Sequence, residues 1–399
     1  MRPVDIGQLV ERVATGDPKM SATESFTYID IAAVDAKTKL ITGAREIETV
    51  NAPSRARQIV RNGDVIVSTV RPNLNAVALV PPKLDGAVAS TGFCVLRPGS
   101  HLNSEYLFHW VRSSRFVEEM VRQATGQSYP AISDRIVKGS SIPVFDIVHQ
   151  ERIAAILGQA ETLRAKRRDA IALLDALAQS VFLDMFGDPF VNSSGFEVCE
   201  LEDLVADGDR INYGVVQPGQ HVEGGIPLIR SGDLGRLGVD RSSLMRISPD
   251  VESGYARSRI KGNEILIGCV GAIGEVAVVS NEDVGSNIAR AVARVPIAGD
   301  ADREYVAAYL RMDFAQQYFT RELRTVAQPT LNIKQIKSMP VMFPPSSLRS
   351  EFAERVRCVT QQRVTQVAHL AALDELFTSL QHRAFSGMLW DHEATGEAA

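Results

Sequence analysis

Cysteine is scarce in this sequence. There are four in 399 residues, Cys94, Cys199, Cys269 and Cys358, with no CxxC pair and no Cys/His cluster. That argues against a disulfide framework and a structural metal site, and it fits reduced thiols in a cytoplasm. No apolar run approaches the ~20 residues a membrane helix needs. The start, MRPVDIGQLVERV, lacks the apolar stretch of a secretory signal. A strong excess of charge is missing as well. The net charge of −5 speaks on its own against a nucleic-acid binder, although whole-chain charge conceals local fields. Catalytic signatures are absent too: there is no Walker lysine loop, no HExxH and no nuclease carboxylate–lysine cluster. GCVGAIGEV, from Gly268, spaces its glycines unlike GxGxxG and runs into a second strand-like stretch, so they are expected to serve hairpin turns. MFPPSS, from Met342, has the Pro-Pro pair of adenine methyltransferases without the residues that should flank it. The expectation is a chain that catalyses nothing itself and binds no metal or cofactor.

What the sequence does have is helix-forming length. From Gln150 to Phe186 it holds no Pro and one Gly, Gly158, among Ala, Leu, Gln, Glu and Arg, the straight-chain helix formers. Ile153, Leu157, Ala160, Ile171, Leu174, Ala178 and Val181 recur on a 4-3-4 spacing, the mark of a seam for a partner helix. At 1.5 Å per residue this rod is about 50 Å long. About 199 residues on, Glu351 to Phe385 repeats the pattern with Phe352, Val356, Val359, Leu370, Leu373, Phe377 and Leu380. LDALAQSV from Leu174 answers to LDELFTSL from Leu373.

The preceding segments repeat as well. DIGQLV from Asp5 matches ELEDLV from Glu200, and TYIDI from Thr27 matches PLIRSGDL from Pro227. RNGDVIVSTVRPNLNAVALV from Arg61 aligns with KGNEILIGCVGAIGEVAVV from Lys261, placing Asp64 opposite Glu264; each reads as a hairpin. EYLFHWV from Glu105 and EYVAAYL from Glu304 each open an amphipathic helix running to about Arg122 and Arg321. A loop and a Pro-bearing strand follow in both halves, SIPVF from Ser141 and MPVMF from Met339. FGDPFVNSSG, from Phe186, is a linker. The duplication implies two sites of one kind tuned to different ligands; the alternative is drift that left one surviving site. The expected fold is α+β. Two similar α/β domains (1–149 and 188–348) stand in pseudo-twofold arrangement, separated by two long antiparallel helices in a coiled coil (150–187 and 349–387), with a flexible tail (388–399).

This order, and the signatures PAISDRIVKGSSIPVFDIVHQERI and PTLNIKQIKSMPVMFPPSSLRSEF, resemble the DNA-specificity subunit of type I restriction–modification systems. The likeness rests on organisation and on the Gln-Glu-x-Ile helix start at Gln150; the second junction departs from it with Ser350-Glu351-Phe352. The resemblance implies a non-catalytic reader in a cytoplasmic defence system. Its target-recognition domains would each bind half of a split site on double-stranded DNA. Its helices would set the spacing and dock two methyltransferase subunits, with a restriction–translocase subunit left open as a further partner. S-adenosylmethionine, ATP and Mg would belong to those partners. Two rivals stand beside this reading: a DNA methyltransferase or nuclease acting on its own, and a coiled-coil scaffold whose domains bind protein.

Base readout needs Arg, Asn, Gln, Ser or Thr on loops, and phosphates need Lys or Arg. The first domain offers Arg45, Arg55, Arg57 and Arg61, the turn residues Arg71, Asn73 and Asn75, and the loop Gln127, Ser128 and Tyr129. The second offers Arg210, Asn212, Tyr213 and Gln217, the cations Arg230, Arg236, Arg257, Arg259 and Lys261, and the loop Gln328, Thr330, Asn332 and Lys334. Arg164 and Arg167 interrupt the first helical seam, and Arg363 and Gln366 the second. They are expected to meet near the middle of an antiparallel pair, either balanced by Glu161 and Asp169 or left facing a groove, and to fix its register.

Overall fold

The computed structural model describes residues 2–126, 129–323 and 329–389. The chain divides into two compact units, one of residues up to 166 together with those from 370 on, the other of residues 167–369. The long helices Ile147–Phe186 and Ser346–Ser386 each supply a segment to both.

The two units are built alike. In the first, Val65–Ser68 forms an antiparallel hairpin with Val77–Leu79 and pairs on its other edge with Phe93–Pro98. In the second, Glu264–Gly268 pairs in the same way with Val276–Val278 and Val292–Pro296. The runs Val65–Val67 and Ile265–Ile267 in these central strands are apolar because the strands are covered on both faces. Val65 and Val67 face the helices while Ile66 faces a second sheet. Ile265 and Ile267 do the same with Leu266 reversed. The second sheets also correspond, with Ser25–Ile29 parallel to Val88–Ser90 and Ile226–Ile229 parallel to Asn287–Ile288.

Side-chain bonds repeat along with the strands. Tyr106 donates its hydroxyl to the Pro143 carbonyl at 2.6 Å, and Tyr305 donates to that of Met342 at the same distance. Arg97 clasps Asp64 (2.9 and 2.7 Å), and Arg294 reaches Glu264 at 2.9 Å. The residues aligned in sequence, Asp64 and Glu264, thus cap the same strand end, where each also accepts a turn N–H, from Arg61 and Lys261.

In each half the single amphipathic helix expected from sequence is two helices: Ser104–Val111 with Ser114–Gln123, and Asp300–Leu310 with Asp313–Arg321. The Ser113 hydroxyl accepts the Phe116 N–H at 3.3 Å and so caps a fresh first turn. Apolar spacing alone does not reveal such a break.

Both long helices start before the apolar pattern does. Gln150 is fully buried in the first turn, accepting from the Asn103 N–H and donating to the carbonyls of His101 and Phe145. In the second helix Arg349 takes that place, paired with Asp302 at 2.7 Å and bonded to the Pro344 carbonyl. The departure at the second junction is therefore a change of side chain at a retained bonding position. Seam burial is uneven. Ile153, Leu157, Ala160, Phe352, Val356 and Phe377 are buried, while Ile171, Leu174, Ala178, Val359, Leu370 and Leu373 are only half-buried. Phe182, Phe186 and Phe385, outside the strict seam, are buried in the domain cores.

Candidate nucleic-acid interface

In the second unit a short strand, Asn212–Tyr213, lies on the edge of the main sheet against Val292–Pro296. The Tyr213 hydroxyl donates to the Leu331 carbonyl at 2.8 Å, and the Leu331 N–H donates to the Cys269 carbonyl. Two bonds thus pin the loop before the helix Ile333–Lys337, whose N-terminus Asn332 closes with a capping box to Gln335. Burial pushes the Tyr213 hydroxyl up to about 12, so it stays a neutral donor. Asn212 donates to the Arg257 carbonyl at 3.0 Å, while its own side-chain oxygen is buried without a partner among the described residues. Two adjoining hollows of about 400 and 460 Å³ share Tyr213. Arg210, Arg257 and Lys337 border one, and Arg290, Thr330 and Asn332 the other. Arg210, Arg257 and Arg290 are exposed and ion-pair with no carboxylate among the described residues. Lys337 is held by Glu202. The arrangement is a concave, cation-rimmed surface with fixed amide and hydroxyl groups, suited to phosphates and base edges.

The first unit presents the same hairpin turn in different chemistry. Arg71 and Asn75 adopt left-handed backbone at φ 50° and 46°. Such strain persists only where contacts hold it. The Arg71 N–H donates to the Pro130 carbonyl at 2.7 Å, the Asn75 amide to that of Val111 at 3.1 Å, and Lys39 donates to the Asn75 carbonyl. At the corresponding turn the second unit uses Gly271 and Gly274, at φ 77° and 81°. Two of the three glycines of GCVGAIGEV, Gly271 and Gly274, are therefore turn residues, while Gly268 closes the strand Glu264–Gly268. Arg71 lies over the exposed Tyr129 ring, 4.8 Å from its centroid, with Asn73 exposed beside it.

Residues 193–369 match the family model described as the type I restriction modification DNA specificity domain. The type I restriction enzyme EcoBI specificity subunit of Escherichia coli is 31% identical over 242 residues, 59% of this chain and 49% of that protein. A solved chain from work on complex assembly and conformational transition of the type I R-M system aligns over 97% of this chain and 98% of its own. It does so with TM-score 0.57 and 25% identity. Residues 193–369 are thus similar to a type I specificity domain, and the chain as a whole resembles type I specificity subunits. The S subunit of the M. genitalium type I system shares the fold at 14% identity, with TM-score 0.55 over 96% of each chain. The chain spans about half the length of that curated relative, the EcoBI subunit.

Within this family frame the remaining sequence candidates separate clearly. Arg45 pairs with Asp30 and Arg57 with Asp17, both at 3.1 Å, and Asn75 is engaged within the turn. Arg55 and Arg61 are exposed, Gln217 is exposed on its loop, and Lys334 is exposed in the first turn of the helix Ile333–Lys337. Arg230 is held two-pronged by Asp233, and Arg259 by Glu252. Lys261 is bonded to Asp209, and Arg236 lies 3.5 Å from Asp175. Gln127, Ser128 and Gln328 lie outside the described residues. The structure brings Arg210, Asn212, Tyr213, Arg257, Thr330 and Asn332 together, and it adds Arg290 and Lys337. The signal for Arg290 was thin: SNIARAVARV carries two arginines, and Arg294 is fully buried while Arg290 is exposed.

The three arginines expected to interrupt the helical seams are all engaged. Arg164 pairs with Asp374 (2.6 Å) and Glu161 (3.1 Å) in the first unit. In the second, Arg167 donates to the Gln366 side chain at 2.6 Å and Arg363 pairs with Asp175 at 2.7 Å. Asp175, rather than the exposed Asp169, balances Arg363, because the antiparallel helix segments of this unit bring residue 175 opposite residue 363. Among the described residues no three His, Cys, Asp or Glu side chains gather as a metal site, and no helix is long and apolar enough to cross a membrane.

Proposed function

We propose that this chain is the DNA-reading subunit of a type I restriction–modification complex. Each unit reads one half of a split target on double-stranded DNA, the first through the Arg71–Tyr129 turn and the second through the hollows around Tyr213. The observation that carries the proposal is the repetition of one bonded frame beneath two chemically different exposed surfaces. A drifted, inactive copy would not be expected to keep exposed cations on such a frame. Leu173 and Leu177, 70% and 46% exposed one turn apart on the long helix, form an apolar stripe suited to a partner helix. This supports docking of two methyltransferase subunits, and a restriction–translocase subunit would join the same assembly. S-adenosylmethionine, ATP and Mg would be bound by those partners, in the cytoplasm. The test is single-molecule mapping of methylated adenines in the source genome and in a strain lacking this gene. The expected result is an interrupted motif with a fixed spacer that disappears with the gene. A continuous motif, or methylation unaffected by the deletion, would overturn the proposal.

A further inference from the structure

Where each unit meets its long-helix segments, three cations converge from matching places. In the first unit they are Lys39 from a hairpin turn, Arg112 after the helix Ser104–Val111, and Arg164 from the long helix. In the second they are Arg236, Arg311 and Arg363, from the corresponding turn and helices. The counter-charges differ. Glu161 accepts from Arg112 at 2.8 Å and Arg164 at 3.1 Å, and Asp374 accepts from Arg164. The second unit keeps the equivalent of Asp374, Asp175, which Arg363 and Arg236 share. At the position of Glu161 it has Thr360. Arg311 has no ion pair among the described residues; it donates to the carbonyls of Val276 and Arg236.

Three cations and the Asp175 carboxylate thus line a hollow of about 70 Å³ beside Thr360, and apolar side chains such as Leu174, Phe182, Met312 and Val356 form the rest of its wall. Its size admits a group of a few heavy atoms, given about 30 Å³ per water in the liquid. Burial, with the charges of Arg236 and Arg363, lowers Arg311 to about 10; Glu304 and Glu275 oppose that shift without pairing to it. The first unit fills the matching place with an oxyanion of its own, the Glu161 carboxylate. We propose that Arg236, Arg311 and Arg363 hold a small free tetrahedral oxyanion, of the class of inorganic phosphate, beside Thr360. Arginine forks suit such a ligand.

Calorimetric titration of the full chain with inorganic phosphate at constant ionic strength tests this. Wild type should bind one phosphate per chain saturably, and Arg311→Gln should weaken binding by roughly tenfold. Thr360→Glu supplies the missing carboxylate and should abolish phosphate binding while melting no lower than wild type in chloride. That variant also separates binding from the general stabilisation phosphate gives through exclusion from protein surfaces. Saturable binding unchanged in Thr360→Glu, or none in wild type, would overturn the proposal.

Discussion

The two units hold their hairpins with the same kind of bond and differ in how deeply it is set. Asp64 and Arg97 form a simple two-pronged pair in the first. In the second, Arg294 is fully buried between Glu264 and Asp209, and Lys261 extends the chain of charges. The Arg294 bonds hold Asp209 well below the usual carboxylate range. Position has been retained across the repeat while the chemistry around it has moved. The same holds at the exposed turns, where Arg71 and Asn75 in one unit answer to Gly271 and Gly274 in the other. Two frames of one geometry can therefore carry unlike contact surfaces, the property a reader of two different half-sites needs.

Breaking the charge chain should give the largest effect. Arg294→Met leaves the buried Glu264 carboxylate without its ion partner and should cost about 3–5 kcal/mol. Arg97→Met should cost less, because Arg97 is 10% exposed where Arg294 is fully enclosed. Hydrogen exchange read separately in each unit checks both the size and the confinement of the losses. Equal losses in the two units would remove the contrast drawn between them.

A pH scan sharpens the comparison differently. His109 is buried, and burial with the nearby Arg112 charge lowers its ionisation to about 4, with Glu161 pulling the other way. The corresponding residue in the second unit is Ala308. Since the unfolded histidine titrates near 6.5, the stability its neutral form contributes is complete above that pH. It is lost as pH falls toward 4, by about 3 kcal/mol at most. His109→Gln should flatten the pH dependence of exchange in the first unit and leave the second unchanged.

Smaller effects are expected at the DNA face. Arg257→Ala or Arg290→Ala should each reduce the slope of log affinity against log salt by about 0.9, measured by anisotropy on the assembled complex. Arg230→Ala and Arg259→Ala, whose charges are already held by Asp233 and Glu252, should leave that slope unchanged. Smallest in stability is the pair Arg167→Leu with Gln366→Leu, within about 1 kcal/mol of wild type. If these residues fix helix register, methylation should then occur at more than one spacer length, which sequencing of methylated DNA reads directly.

The duplication, the hairpins and both long helices were legible because they rest on local pattern: β-branched runs, turn residues and a 4-3-4 apolar spacing. Less legible was whatever depends on tertiary partners. The break at Ser113 is a capping event inside an uninterrupted apolar pattern. Gln150 and Arg349 look unrelated in sequence until their shared acceptors, the carbonyls of Phe145 and Pro344, are seen. Exposed arginines could not be ranked from composition, since Arg230 and Arg257 look equivalent until Asp233 is found clasping the first. Arg290 acquires meaning only where the strand before it turns toward Tyr213.

The central claim is that the two units read independently. The most direct measurement is to exchange residues 188–348 for the matching segment of a relative with a different target and map the methylated sites. The account predicts that one half-site changes while the other half and the spacer length stay fixed. Both halves changing together, or neither, would contradict it.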